Sequence, residues 1–126
     1  MTPSHTSKMT PYNLHVGDWV YIKHKCFWPV QIAAMDDFQI STKDGDLFHY
    51  DEIEPVFISN KTITEFSLPC EGMAIKGKEG GEYRFCVYDS NGDAMEFCAS
   101  SIHLLQHRYF DFTGNYLRLG WKGANL

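Results

Sequence analysis

Two histidines, His103 and His107, stand four residues apart in "SSIHLLQHRYFDFTGN", Ser100 to Asn115, a stretch whose apolar spacing predicts a helix. Imidazoles at i and i+4 share a helix face and can grip zinc or nickel. A structural or catalytic site wants three or four ligands, however. The zinc-protease arrangement also requires a Glu directly after the first His, where this chain has Leu104. Asp111, four residues after His107, could join only a surface site. No metal and no cofactor is therefore expected, and the pair is assigned to a wet or partner-facing surface.

Three further constellations carry possible chemistry. His24 and Cys26 would share a face if both lay on a strand, but nothing orients the imidazole and no oxyanion donor is identifiable. The chain has no G-x-G-x-x-G, no phosphate loop and no G-x-S-x-G, so no catalytic residue is assigned and the protein is expected not to be an enzyme. Between Asp36 and Glu54 lie seven acidic residues and one lysine, without the D-x-D-x-D-G order that wraps calcium. Such a run suits a solvated, mutually repulsive strand edge. Trp19, Tyr21, Phe27, Trp28, Phe48 and Tyr50 could furnish an aromatic cage for a methylated amine, with Trp19, Tyr21 and Trp28 as its core set. The segments that carry them, "GDWVYIKHK" and "CFWPVQI", resemble the opening of chromatin-reading barrels of the Tudor and PWWP type, which implies a pocket for a cationic or peptide ligand.

The elements that must position these residues are mostly strands. "DWVYIKH", "WPVQIAAM", "FQIST", "DLFHY" and "IEPVFI" are each of strand length, rich in β-branched or aromatic residues, and separated by turn residues. Five such runs in close succession predict a curled meander, a small Src-homology-3-like or Tudor-like barrel over 12–58. Asp44-Gly45 is its best hairpin signal, with Gly45 free to take the positive φ of a two-residue turn. Alternation puts Val20 with Ile22, Val30 with Ile32, and Phe38 with Ile40 on the core face, and turns Trp19 and Tyr21 away from it. Residues 1–11, polar and with two prolines, are expected to form a loose tail.

"SNKTITEFSLP" offers Ser59 and Asn60 as caps and predicts a short helical joint over 59–69, stopped by Pro69. Beyond it, "GMAIKG", "GEYRFCVYD" and "DAMEFCAS" predict three more strands with turns at Gly80-Gly81 and Asn91-Gly92. The closing helix starts at a Ser100 or Ser101 cap and stops at Gly114. Ile102, Leu105, Tyr109 and Phe112 form its core stripe, and His103, His107 and Phe110 fall on the other side. The fold class is thus α+β and β-rich: an N-terminal barrel, then a small antiparallel sheet with one C-terminal helix over 70–126.

Composition agrees with this class. The 126 residues suffice for one domain or two small lobes, and a hydrophobic fraction of 44% with 15% aromatics argues against intrinsic disorder. A formal charge of −5 opposes non-specific nucleic-acid binding, so no nucleic-acid partner is expected. No run is apolar enough to span a bilayer and no secretory leader is evident, which makes a cytoplasmic location without membrane attachment the expectation. Cys26, Cys70, Cys86 and Cys98 show no C-x-x-C spacing and are expected to be reduced and structural.

Several of these residues also match a wider pattern. Leu14, Gly17 and Val20 fit L-x-x-G-N-x-V; Pro29, Val30 and Ile32 fit P-V-x-V; Ile53, Glu54, Pro55 and Val56 fit "IEPIPLT". His103, Leu105, Gln106, Tyr109, Phe110, Thr113 and Gly114 fit "VHQLQNLYFALTG". In these segments, between about Leu14 and Leu117, the chain resembles a family of short proteins from Bacteroides-like bacteria and their prophages that carry no assigned activity. Asp18 stands where that family has Asn, and so does His107, so the dihistidine is not a ligand pair shared with it. The resemblance implies a prophage- or mobile-element-associated accessory protein. Because His103, Gln106 and Phe110 match it while lying off the core stripe, they are the expected contact face for a protein partner, or for a second copy in a homo-oligomer.

Overall fold

The computed structural model describes residues 9–24 and 28–123. The chain divides into two compact units, Met1–Glu54 and Pro55–Leu126. Eight strands and two α-helices are present among the described residues, arranged as two antiparallel sheets, so the α+β class holds.

In the first unit, β1 (Trp19–Ile22), β2 (Val30–Met35), β3 (Gln39–Thr42), β4 (Leu47–His49) and β5 (Ile53–Pro55) form one sheet in the order β4-β3-β2-β1-β5. All five predicted runs are strands. Among the described residues no pairing joins the outer strands β4 and β5, so the sheet does not close into a barrel. A 3-10 turn over Tyr50–Glu52 links β4 to β5. The core is built from Leu14, Val20, Ile22, Ile32, Ile40, Tyr50 and Ile53, with Val30 partly buried against it.

Three expectations for this unit are corrected. Phe38 is 75% exposed rather than core. It lies before the first residue of β3, where Asp36 Oδ1 accepts the amides of Phe38 (2.8 Å) and Gln39 (2.9 Å), and this local turn breaks the alternation. Met9 belongs to the core and Thr10 Oγ1 and N bond to Asn13 Oδ1, so the described end of the expected tail is tied down. The Asp44-Gly45 hairpin holds three residues rather than two, because Thr42 N bonds to Asp46 O (3.0 Å) and Gly45 takes φ +90 at the third place.

In the second unit, β6 (Met73–Glu79), β7 (Glu82–Tyr88) and β8 (Ala94–Ala99) form a sheet with β7 at its centre. Tyr83, Phe85 and Val87 alternate inward along β7, and Phe85 pairs with Phe97 across to β8. Asn91-Gly92 again sits in a three-residue loop, closed by Asp89 N to Asp93 O at 2.9 Å. Helix α1 (Asn60–Glu65) carries the expected Ser59 cap, with reciprocal bonds between Ser59 and Thr62. Helix α2 (Ile102–Thr113) packs on β8.

Residues 56–58, given by the sequence to the first lobe, pair with the entry to α2: Ile58 N bonds to Ser100 O, Ile102 N to Val56 O, and Phe57 bridges Ser101. After α2 the chain runs back without regular structure, burying Leu117 and Leu119. It is fastened to α1 by Lys122 N to Glu65 O (2.8 Å) and Trp121 Nε1 to Glu65 Oε1 (3.1 Å). The Cys70, Cys86 and Cys98 thiols are free.

Candidate functional site

Helix α2 starts at Ser101, whose extended backbone (φ −139, ψ 162) suits an N-cap. Its hydroxyl does not cap a helix amide. It lies instead 3.1 Å from His103 Nδ1, a buried hydrogen bond in which either group can donate according to the imidazole tautomer. The backbone pairings of 56–58 to 100–102 hold this turn in place, and Ser101 is 1% exposed.

The expectation of a wet histidine face is corrected here. His103 is 5% exposed and Gln106 6% exposed, so neither offers its side chain to a partner from this conformation. The Gln106 amide donates to Leu117 O at 3.4 Å, pinning the returning C-terminal segment. His107 is half-buried, and its ring meets that of His103 edge to face with centroids 5.5 Å apart. One of the two ring nitrogens of His103 is committed to Ser101. Of the core stripe, Ile102 and Leu105 are fully buried, whereas Tyr109 and Phe112 are half-buried. The first turns of α2 are thus enclosed on more sides than a single stripe supplies, and the later turns on fewer.

Phe110, the third residue of the expected contact face, is half-exposed and stacks on Tyr116 with centroids 4.6 Å apart and planes 20° from parallel. Gly114 makes this possible by taking φ +77, a left-handed conformation that reverses the chain while its N–H bonds to Phe110 O (2.8 Å). Thr113 locks the reversal: its hydroxyl donates to Tyr109 O and accepts from Asn115 N. Tyr116 is 59% exposed, so the stacked pair presents a fixed aromatic surface. Sequence periodicity alone did not reach Tyr116, although the Gly114 stop signalled the turn that delivers it.

The remaining candidates fall out as follows. Trp19 and Tyr21 are half-buried on the face of β1 opposite Val20 and Ile22, as alternation requires, and Trp28 is 52% exposed just before β2. Phe48 and Tyr50 belong to the core instead, the Tyr50 hydroxyl donating to Asp36 O, while Phe27 lies outside the described residues. His24 follows the end of β1 in a turn with φ +59, so it does not share a strand face with Cys26, itself outside the described residues. Carboxylates of the acidic run serve local backbone: Asp36 holds the turn before β3, and Glu52 Oε1 accepts the amide of His49 (3.0 Å). The Phe38 amide and then the Gln39 amide keep the Asp36 carboxyl below its ordinary pKa. No helix among the described residues is long and apolar enough to cross a membrane.

Compared with known proteins, the chain matches no family model, no curated protein and no solved structure.

Proposed function

We propose that this protein is a non-enzymatic protein-interaction module of a prophage or mobile element, acting in the cytoplasm, and that its partner docks on the Phe110–Tyr116 stack at the end of α2. The stack itself carries this reading. Two aromatic rings already held face to face lose little freedom when a partner covers them, and such rigid anchors dominate interface energetics. His103 and Gln106 are positioning residues: one braces the first turn of α2 through Ser101, the other ties down the segment that carries Tyr116. The first unit is read as Src-homology-3-like, supported by its strand order and by the 3-10 turn between the last two strands.

The test compares partners captured from host cells, with and without phage, by the wild-type chain and by a Phe110→Ala, Tyr116→Ala double variant. Loss of a captured partner by about tenfold or more is expected. Tyr12→Ala, at a site 94% exposed, should retain it. Equal capture by a folded double variant would refute the docking site, and light scattering of the free protein decides whether the partner is a second copy.

A second reading rests on Trp19 and Tyr21 sharing one face of β1 while Trp28 stands exposed: the barrel-type reader expected from the sequence, here on an open sheet, holding a cationic or peptide ligand. Titration with methyl-lysine peptides should then change tryptophan fluorescence. An unchanged spectrum removes this reading.

A further inference from the structure

One row of side chains crosses three strands of the first unit. Ala34 on β2 pairs with Ser41 on β3, and Ser41 pairs with Leu47 on β4. Because Ile40 points into the core, its neighbour Ser41 points outward, and the row lies on the outer face of the sheet. Two small residues beside larger ones leave a hollow of about 100 Å³, walled by Met35, Asp36, Gln39 and Leu47. Leu47 remains 59% exposed at its rim.

The rim is charged in one sense. Asp36 stands at the hollow with its carboxylate oriented by two backbone amides. The exposed Asp37 and Asp46 adjoin the lining residues Asp36 and Leu47 in the chain. A second copy of this chain, with a formal charge of −5, would bring like charge to this face. Addition of a whole strand along β4 is opposed as well, since the His49 amide is already taken by Glu52.

We propose that this hollow docks a basic peptide segment of a partner protein: one aliphatic side chain enters over Ala34 and Ser41 against Leu47, and flanking Lys or Arg residues face Asp36 and the neighbouring carboxylates. The apolar contact supplies selectivity for the central residue and the acidic rim supplies orientation and encounter rate. This site is separate from the Phe110–Tyr116 stack and stands or falls without it.

The experiment is a titration of the isotopically labelled full chain, followed by backbone amide resonances. The probe is a short synthetic peptide with a central leucine flanked by lysines, compared with the same peptide carrying a central serine and with one flanked by glutamates. Shifts centred on Ala34, Ser41 and Leu47 are expected, weakening with added salt. The central-serine peptide, and the variants Leu47→Lys and Asp36→Asn, should each bind about tenfold more weakly, whereas Met95→Ala should not. Ser41→Leu should fill the hollow and abolish the shifts; if that variant loses its dispersed spectrum, the two rim variants decide. Absence of shifts, shifts centred elsewhere, or equal binding of the leucine and serine peptides would overturn the proposal.

Discussion

Ser101 Oγ lies 3.1 Å from His103 Nδ1, and both residues are buried at the first turn of α2. The serine holds the N-cap position while its hydroxyl serves a side chain instead of a helix amide. Ser101→Ala should therefore destabilise the protein by about 1 kcal/mol, the net worth of a buried hydrogen bond. Urea unfolding followed by circular dichroism measures this, and an unchanged midpoint would show that the imidazole holds its place without the hydroxyl.

Adjacent leucines on α2 offer a matched comparison. Leu105 is 0% exposed and Leu104 is 36% exposed. Leu105→Ala should cost about 2–5 kcal/mol through lost burial and the cavity left behind. Leu104→Ala should stay within roughly 0.5 kcal/mol. Similar losses at the two positions would contradict the observed packing of the helix.

At the other end of the second unit, Trp121 donates its indole N–H to the buried carboxylate of Glu65. Removing the donor leaves a buried carboxyl oxygen without this partner, so Trp121→Phe should cost about 1–3 kcal/mol. Glu65→Gln keeps an acceptor oxygen and should cost less. Thermal unfolding of both variants checks the order.

Asp36 gives the first unit an acid dependence of known sign. Its carboxyl sits below its ordinary pKa, chiefly because the Phe38 amide and then the Gln39 amide bond to the ionised form. The native state thus binds its proton less readily than the unfolded chain. The stabilisation is present above about pH 4 and fades as the pH falls through the lowered value. Unfolding midpoints of the wild type and of Asp36→Asn should differ near neutrality and converge in acid; a gap that persists at low pH would exclude the carboxylate as its source.

Cys70 should be a slow nucleophile. Burial raises its thiol pKa, leaving less thiolate near neutral pH than an exposed cysteine would have. Alkylation by iodoacetamide, mapped by mass spectrometry, should run slower at Cys70 in the native chain than in urea and should accelerate as the pH rises. Equal native and denatured rates would contradict the burial.

Local pattern carried most of the architecture. Val20 with Ile22 and Tyr83 with Phe85 and Val87 announce their strands by alternation, while Gly45, Gly92 and Gly114 mark turns that need a positive φ. What the pattern missed was set by contacts distant in sequence. The helical wheel puts His103 and Gln106 on the wet side of α2, but both are buried; residues 56–58 pair with the helix entry from more than forty positions away, and Leu117 O accepts from Gln106. Phe38 was assigned by extending the alternation of β3 past its start, across the turn that Asp36 imposes. Tyr116 lay beyond the helix and hence beyond any periodicity, and the Ala34–Ser41–Leu47 hollow depends on the pairing of three strands, which one sequence does not display.

The grip of Glu52 on the His49 amide has a colloidal meaning. Fibre growth copies a sheet margin donor by donor, and at the outermost strand of this one a donor is already quenched from within the same chain. Concentrated solutions of the folded protein should accordingly resist templated, amyloid-type polymerisation along that margin.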